Sequence, residues 1–280
     1  MIVDFHTHIF PPKVRERRED YVKRDLCFAE MYADPKAKMA TAEELIAAMD
    51  EAGIDVSVAL NIGWVSQDIC RETNNYILES AAKHPKRIVP FIAVQPEAGD
   101  AAVGEVERCA GAGAKGIGEM RPDVQGFDLA SHRVMSALVE TLVRCGMIFL
   151  THASEPVGHV YPGKGLVTPD KLYAFVSAFT ELKVVCAHWG GGLASYALMP
   201  EVGKALTNVY FDSAATPYLY LPQVFRQTAD LVGIEKVLFG TDYPLLSQRR
   251  VIADVDKAGL SETERRAVLG GNAARLLRMT

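Results

Sequence analysis

Eight short apolar segments alternate with longer amphipathic stretches along the 280 residues, and this alternation predicts an α/β fold of the (β/α)8 TIM-barrel type. The apolar segments are rich in Val and Ile, which is typical of strands buried on both faces of a parallel sheet. A doubly wound open sheet is the less favoured alternative, because the sequence has no Gly-x-Gly-x-x-Gly phosphate loop. Since no linker-like stretch divides the chain, we predict a single domain over residues 1–280.

The predicted elements alternate in order along the chain. Strands are predicted at residues 2–5, 56–60, 88–94, 114–120, 147–152, 183–188, 208–213 and 236–242. Helices are predicted at residues 41–52, 68–83, 100–112, 131–145, 168–179 and 261–277. Thr41 with Glu44, and Ser261 with Glu264, form capping-box patterns that mark the N-termini of two of these helices. Gly53 supplies a stop signal after the first of them.

Residues 10–40 are the longest stretch without a predicted strand. We interpret them as a long loop insertion after strand one. A loop of this length is uncommon in a compact domain unless it has a function. Its many charged residues are typical of a solvated face.

The composition excludes several classes of protein. A net charge of −5 and a pI near 5.8 argue against a nucleic-acid-binding protein, whose domains are usually basic. The five cysteines form no CxxC pair, which is typical of buried thiols in a reducing compartment. The N-terminus lacks the pattern of a signal peptide, and no apolar run is long enough to span a bilayer. We therefore expect a cytoplasmic protein that binds neither nucleic acid nor membranes.

Side chains that can ligate a metal stand at the ends of several predicted strands. His6 and His8 follow strand one and, being two residues apart, point the same way on a strand. His152 ends strand five, His188 ends strand six and Asp242 ends strand eight. In a TIM barrel the C-terminal ends of the strands form the active site, so these side chains are expected to meet there. Imidazoles and a carboxylate suit a divalent metal such as zinc.

The motifs "FHTH", "CAHWGGG", "FGTDYP" and the terminal "GNAARLL" resemble those of the amidohydrolase superfamily. More narrowly, they resemble the amidohydrolase-related family typified by aminocarboxymuconate-semialdehyde decarboxylase. The resemblance covers nearly the whole chain, with the motifs in the right order. It implies a metal-dependent TIM-barrel enzyme. It leaves the reaction open, because members of that family include decarboxylases, hydratases and hydrolases of lactones or amides.

The resemblance also implies roles for the strand-end residues. His6, His8, His152 and Asp242 would hold one metal ion, most simply zinc. His188 would bind the metal or contact the bound water or the substrate. Asp242 would be the general base for a metal-activated water, whose pKa zinc lowers to about 7. The leading prediction is therefore a metal-dependent hydrolase of a small carbonyl substrate, which would be an amide, a lactone or an ester.

Three alternatives remain open. The second interpretation is a metal-dependent decarboxylase or hydratase on the same scaffold, in which the metal stabilises negative charge on the substrate. The third is a phosphodiesterase of TatD type, because Glu119 ends strand four in "GIGEM" and the TatD-like branch has a similar glutamate that bridges two metals. Glu119 either pairs with Arg121 or Lys115, or binds metal as an extra carboxylate on one ion or as a bridge between two. The fourth is a barrel that keeps a structural or sensory metal and acts through partners.

Four residues are candidates for binding the substrate: Arg121, Trp189, His159 and Tyr161. Arginine is suited to gripping a carboxylate with two hydrogen bonds, and Arg121 follows strand four. Trp189 follows His188, while His159 and Tyr161 lie in a loop punctuated by Gly and Pro after strand five. We expect a small substrate that bears a carboxylate. The resemblance also raises a homodimer as an expectation, since members of that family often form dimers.

Overall fold

The computed structural model describes residues 1–279 and contains one eight-stranded parallel sheet whose strands pair in chain order. Strands β1 to β8 cover Val3–His8, Val56–Leu60, Ile88–Ile92, Gly116–Met120, Ile148–Thr151, Val184–Cys186, Val209–Asp212 and Val237–Leu238. The segment after β8 returns to β1. The Phe5 N–H donates to the Phe239 carbonyl (2.8 Å), and the His8 N–H donates to the Tyr243 carbonyl (2.7 Å). The predicted (β/α)8 barrel is confirmed.

Helices precede or follow every strand. Helices α1 to α15 cover Pro12–Glu16, Arg18–Arg24, Leu26–Tyr32, Ala42–Ala52, Gln67–Lys83, Asp100–Gly111, Pro122–Gln125, His132–Arg144, Pro169–Ala178, Pro200–Ala205, Thr216–Leu219, Gln223–Val232, Gln248–Asp256, Glu262–Arg266 and Asn272–Leu276. Both predicted capping boxes are present, Thr41 with Glu44 at α4 and Ser261 with Glu264 at α14. Across residues 1–279, no helix has the length and the apolar character needed to cross a membrane. The cytoplasmic location and the homodimer stay predictions.

The insertion after strand one is present, but it is helical rather than a loop. Helices α1 to α3 lie within residues 10–40 and pack on a core cluster of their own. In this cluster the ring of Phe28 stacks on Trp64 (centroids 5.2 Å apart), and Phe10 meets Tyr32 edge to face (5.0 Å). Each helix has only five to seven residues. That is too short for the helical period of apolar residues to be recognised in the sequence.

Strand β1 changes its register against β2 between Asp4 and Thr7. Phe5 packs in the apolar cluster that fills the barrel interior. On a regular strand, side chains alternate between two faces, so His6 and His8 would point away from the face that Phe5 occupies. The register shift breaks this alternation. As a result, the side chains of Phe5 and of both histidines point to the inside of the barrel, and the histidines lie nearer its C-terminal end.

Candidate metal centre

A cavity of about 410 Å³ opens at the C-terminal ends of the strands, which is the size of a site for a small molecule. Most of the residues predicted for catalysis or metal binding line it: His8, Glu119, His152, His188 and Asp242. His6 lies directly beneath, fully buried, against His8. The structure therefore brings the strand-end residues together as expected.

His6, His8 and Asp242 form the first group of donor atoms. The Nε2 atoms of His6 and His8 are 3.1 Å apart. Asp242 Oδ1 lies 3.4 Å from the His8 Nε2 and 3.9 Å from the His6 Nε2. Donors bound to one ion at about 2.1 Å, with angles of about 90–110°, lie about 3.0–3.4 Å apart. The three atoms therefore have nearly the spacing of ligands around one cation.

Asp242 was expected at the end of strand eight, but β8 stops at Leu238 and Asp242 lies in the segment that follows. This segment is attached to β1. The Asp242 N–H donates to the His6 carbonyl (2.8 Å), and Thr241 donates to the Asp4 carboxylate from its N–H (3.0 Å) and its hydroxyl (2.7 Å). Strand β1 therefore positions Asp242 as well as its own two histidines.

Asp212, at the end of β7, orients the His6 ring. Its Oδ2 lies 2.8 Å from His6 Nδ1, and its Oδ1 accepts the N–H groups of His188 (3.1 Å) and Ala214 (3.0 Å). Because a carboxylate accepts hydrogen bonds, the proton of a neutral His6 sits on Nδ1 and its Nε2 offers a lone pair to the site. The sequence analysis missed Asp212, although an acid at the end of the predicted strand 208–213 carried the same signal as Asp242.

Glu119 lies on β4, whose register against β5 shifts between Ile117 and Met120. The residue is 5% exposed. Its Oε1 lies 2.9 Å from His152 Nδ1 and 3.3 Å from His188 Nε2. The carboxylate is therefore placed among the imidazoles by an irregularity of the strand.

The second oxygen of Glu119, Oε2, lies 3.7 Å from His8 Nε2 and 3.8 Å from His6 Nε2. Pairing with Arg121 or Lys115 was the alternative for Glu119, but its carboxylate contacts imidazoles instead. Two groups of side chains that can hold a metal ion share this glutamate: His6, His8 and Glu119, and Glu119, His152 and His188. The contacts favour the interpretation of Glu119 as a metal ligand.

His188 begins a sharp turn, and its backbone φ of 52° lies in the left-handed region. Its Nδ1 donates to the carbonyl of Ala214 (3.1 Å), which leaves Nε2 directed at the site. Gly191 continues the turn with a φ of 58°, and a Cβ there would clash with the carbonyl oxygen of Ser154. Gly191 of the "HWGGG" motif is therefore required, because the turn passes close to the segment after β5.

Neighbouring carboxylates raise the pKa values of two of the imidazoles and so favour their positively charged form. Burial by itself would lower the pKa of His6, but the Asp212 carboxylate, helped by the other acids of the site, raises this pKa to about 10. Burial would likewise lower the pKa of His188, but the Glu119 carboxylate outweighs it and raises the pKa to about 9. The site therefore attracts cations, whether these are protons or a metal ion.

The pKa values of the carboxylates in the site shift in the opposite direction and are lowered. Burial would raise the pKa of Glu119, but the imidazoles, that of His152 foremost, hold it well below its usual range. Burial would also raise the pKa of Asp242, but its contact with His8 and the charge of the other imidazoles lower it. Both carboxylates are therefore ionised and available to a cation.

Three of the four predicted substrate-binding residues line the cavity: Arg121, His159 and Tyr161. Arg121 is 1% exposed, with its Nη2 3.3 Å from a Glu30 oxygen and its Nε 3.5 Å from an Asp123 oxygen. Both contacts are long for charge-assisted hydrogen bonds. The guanidinium therefore keeps capacity to bind an anion in the cavity.

Trp189 does not line the cavity, contrary to the prediction. It is 1% exposed, its ring packs edge to face on Phe225 (centroids 4.7 Å apart), and its indole N–H donates to the Thr216 hydroxyl (2.9 Å). Cavity-lining residues that the sequence analysis missed include Tyr32 and Lys38. They lie in and after helix α3, so their place depends on how the insertion folds over the barrel mouth.

The barrel and its strand-end donor atoms define a class of protein, a TIM-barrel enzyme with a divalent-metal centre. Residues 3–279 match the family model of the amidohydrolases, and the chain belongs to this family. It is 26% identical over 256 residues to gamma-resorcylate decarboxylase of Rhodococcus jostii (strain RHA1), covering 76% of this chain and 77% of the relative. It is 22% identical over 282 residues to gamma-resorcylate decarboxylase of Polaromonas sp. (strain JS666 / ATCC BAA-500), covering 82% and 85%.

Solved structures share the fold over the full length of the chain. The 5-carboxyvanillate decarboxylase of Sphingomonas paucimobilis superposes with a TM-score of 0.80 at 17% identity, covering 100% of this chain and 99% of that one. The 5-carboxyvanillate decarboxylase of Novosphingobium aromaticivorans DSM 12444, which contains manganese, superposes with a TM-score of 0.81 at 15% identity, covering 100% and 96%. A divalent metal is thus found on this scaffold.

The comparisons correct the predicted reaction. The leading prediction, a hydrolase of an amide, lactone or ester, is wrong, because both curated relatives are decarboxylases. The same finding counts against the phosphodiesterase interpretation. It supports the decarboxylase alternative. The sequence motifs could not make this choice, because they describe the metal ligands that hydrolases and decarboxylases of the superfamily have in common.

Proposed function

We propose that this protein is a metal-dependent decarboxylase that removes the carboxyl group from a small, hydroxyl-bearing aromatic acid. The observation that carries the proposal is the similarity to the Rhodococcus decarboxylase over three quarters of the chain. The cavity supports it, because its walls combine apolar side chains such as Met31 and Leu219 with the donor atoms at its floor. Such a cavity suits a flat aromatic ring with polar substituents.

His6, His8 and Asp242 would hold a divalent cation, with the nearer oxygen of Glu119 beside them. These donors fit a cation, because lone pairs and carboxylate charges converge and two of the imidazole lone pairs are directed inward by partners behind the rings, as at His6. When bound, the cation supplies positive charge that holds substrate oxygens and stabilises negative charge on the substrate. Imidazole and carboxylate ligands suit both zinc, the metal expected from the sequence, and manganese.

The chain must move a single proton for this reaction. The Asp242 carboxylate accepts the proton of the substrate hydroxyl and passes it to the ring carbon that bears the carboxyl group. The bond between this carbon and the carboxyl carbon then breaks, its electron pair restores the aromatic ring, and carbon dioxide leaves. The substrate oxygen regains one proton from solvent, so each turnover consumes one proton.

Arg121 would bind an oxygen of the substrate through its free N–H groups. Its guanidinium lines the cavity and lies almost fully out of solvent, where a charged hydrogen bond is strong. His159 and Tyr161 reach the same cavity from the segment between β5 and α9 and would exclude water from the ring.

The test is an assay with the metal removed and then restored. The chelated protein is reloaded with Mn²⁺ or Zn²⁺ and incubated with 2,6-dihydroxybenzoate, 5-carboxyvanillate and other hydroxybenzoates. We expect carbon dioxide and the decarboxylated phenol with at least one acid, only in the metal-loaded protein. Asp242→Asn is expected to reduce kcat by about 10²–10⁴-fold, because it removes the group that transfers the proton, while thermal unfolding stays near that of the wild type. Folded, metal-loaded protein that releases carbon dioxide from none of these acids would refute the proposal.

A further inference from the structure

Asp123 lies where two parts of the cavity wall meet. Its Oδ1 is 3.5 Å from Arg121 Nε, and its Oδ2 accepts the Leu166 N–H (2.8 Å). Leu166 lies near the end of the segment between β5 and α9, of which residues 155–166 are called the wall segment below. We propose that Asp123 is a positioning residue that holds the guanidinium of Arg121 and the wall segment together, so that the binding of an anionic substrate depends on it.

The short helix α7 places Asp123 beside Arg121. The helix begins at Pro122, so the two side chains flank its first residue. The Arg121 N–H donates to Gln125 Oε1 (3.0 Å), which fixes the main chain at this point. The side chain of Asp123 is 9% exposed. Burial would raise its pKa, but the charge of Arg121 and the Leu166 N–H lower it, so the carboxylate is an anion.

The main chain of the wall segment passes directly over this ion pair. A Cβ on Gly165 would clash with Asp123 Oδ2 and would lie 3.3 Å from Arg121 Nη2. The Gly165 N–H donates to the Ser154 hydroxyl (3.0 Å), so hydrogen bonds on two sides hold the end of the segment. The segment therefore covers Arg121, which explains why this arginine is almost fully out of solvent.

The wall segment is also closed on itself. The Lys164 ammonium donates to the carbonyls of Val157 (2.7 Å) and His159 (3.0 Å) and lies 5.6 Å from the ring centroid of Tyr161. His159 and Tyr161 line the cavity. Because these contacts tie the middle of the segment to its end, the hydrogen bond from Asp123 to the end also helps to place the two cavity-lining side chains.

The contacts of Arg121 leave part of its guanidinium for a ligand. A guanidinium carries N–H groups on Nε, Nη1 and Nη2. Asp123 faces Nε and Glu30 faces Nη2 (3.3 Å), so Nη1 is left for an oxygen of the substrate. Without Asp123 the guanidinium would be held by Glu30, whose side chain is 42% exposed, and would turn toward solvent. The substrate in this step rests on the proposed function, whereas the packing around Asp123 does not.

The first test needs no substrate. Phenylglyoxal, which reacts with accessible guanidinium groups, is added to the full-length protein, and mass spectrometry follows labelling of the peptide that contains Arg121. We expect Asp123→Ala to speed this labelling about tenfold, because the cover and the guanidinium are both released. The exposed Arg133 is the internal reference. Asp128→Ala is the matched control, because Asp128 is exposed and accepts only a local N–H, and its Arg121 is expected to label like the wild type.

A second variant keeps the charge of Asp123. Gly165→Ala is also expected to speed the labelling of Arg121, because its Cβ displaces the Asp123 carboxylate. Gly104→Ala in α6 is the control, because a Cβ there meets open space. Circular dichroism and thermal unfolding establish that each variant is folded. Unchanged labelling of Arg121 in folded Asp123→Ala and Gly165→Ala proteins would overturn the proposal.

The last test measures substrate binding with an acid that the wild type decarboxylates. In Asp123→Asn the single side-chain oxygen accepts the Leu166 N–H, and the NH₂ group faces the Nε–H of Arg121, a donor against a donor. We expect KM to rise about tenfold while kcat changes less than about threefold, because the metal ligands stay in place. A structural role alone would lower thermal stability and leave KM of the folded protein unchanged, and that result would overturn the link to the substrate. Labelling as expected without decarboxylation of any acid would refute the proposed function and still support the positioning of Arg121.

Discussion

Asp212→Asn is the substitution whose effect follows most directly from the structure. Asp212 Oδ1 accepts two main-chain N–H groups, from His188 (3.1 Å) and Ala214 (3.0 Å), and Oδ2 binds His6 Nδ1 (2.8 Å). Asparagine has only one side-chain oxygen. The two N–H groups hold that oxygen in the place of Oδ1, so the amide NH₂ group faces the His6 ring.

This exchange reverses the tautomer of His6. An NH₂ group donates hydrogen bonds, so it favours a lone pair on Nδ1 and moves the ring proton to Nε2, where the metal ligand is needed. Loss of such an outer partner typically costs 10–100-fold in metal affinity. This corresponds to about 1.4–2.8 kcal/mol of binding free energy, since each 1.4 kcal/mol is tenfold. The two main-chain hydrogen bonds persist, so the fold is expected to stay intact.

The assay is a titration of the chelated protein with Mn²⁺, with thermal unfolding as the check on folding. We expect Asp212→Asn to raise the Kd of the site by about 10–100-fold. Asp230→Asn is the control, because Asp230 is exposed, pairs with Arg226 and does not line the cavity. A folded Asp212→Asn protein that binds Mn²⁺ like the wild type would refute the reasoning about the tautomer.

Two further predictions concern residues that hold the segments of the site in place. Gly191→Ala is expected to lower the free energy of unfolding in urea by at least about 1 kcal/mol more than Gly192→Ala. Both glycines have positive φ, but only a Cβ at Gly191 meets another atom, the Ser154 carbonyl oxygen, so equal losses would refute the close contact. Asp4→Asn is expected to lower the free energy of unfolding by about 1–3 kcal/mol in the same measurement. The Thr241 hydroxyl and the Gln248 amide both donate hydrogen bonds to the Asp4 carboxylate, and the NH₂ group of asparagine cannot accept them. An unchanged urea midpoint would contradict this prediction.

The position of Glu119 shows where reasoning from the sequence stopped. The sequence places Glu119 at the end of a strand, as the structure does. It does not decide whether the carboxylate pairs with Arg121 or Lys115 or binds a metal. The alternation rule assumes a regular strand, and β4 is irregular between Ile117 and Met120. This register shift depends on the main-chain pairing of β4 with β5, which is a separate segment of the chain. No local sequence pattern therefore predicts it.

The substrate side was predicted less well than the metal side. Trp189 follows His188 in the sequence, which suggested a place in the cavity, but the left-handed turn sends its ring into the core. Tyr32 and Lys38 reach the cavity from an insertion whose short helices have no recognisable period. Metal ligands stand at strand ends, where topology fixes their place, whereas substrate contacts depend on loops and insertions.

Local patterns along the chain were enough to predict the barrel and the convergence of the donor atoms at its strand ends. Period and hydrophobicity identify eight strands, and parallel strands bring their C-terminal ends to one mouth. For this reason the sequence alone places five donor residues in one group: His6, His8, His152, His188 and Asp242. Which oxygen of Glu119 faces which imidazole, and which carboxylate orients His6, follow from the packing of distant segments and not from any local pattern. These depend on register shifts and on hydrogen bonds between segments about two hundred residues apart, such as the one from His6 to Asp212.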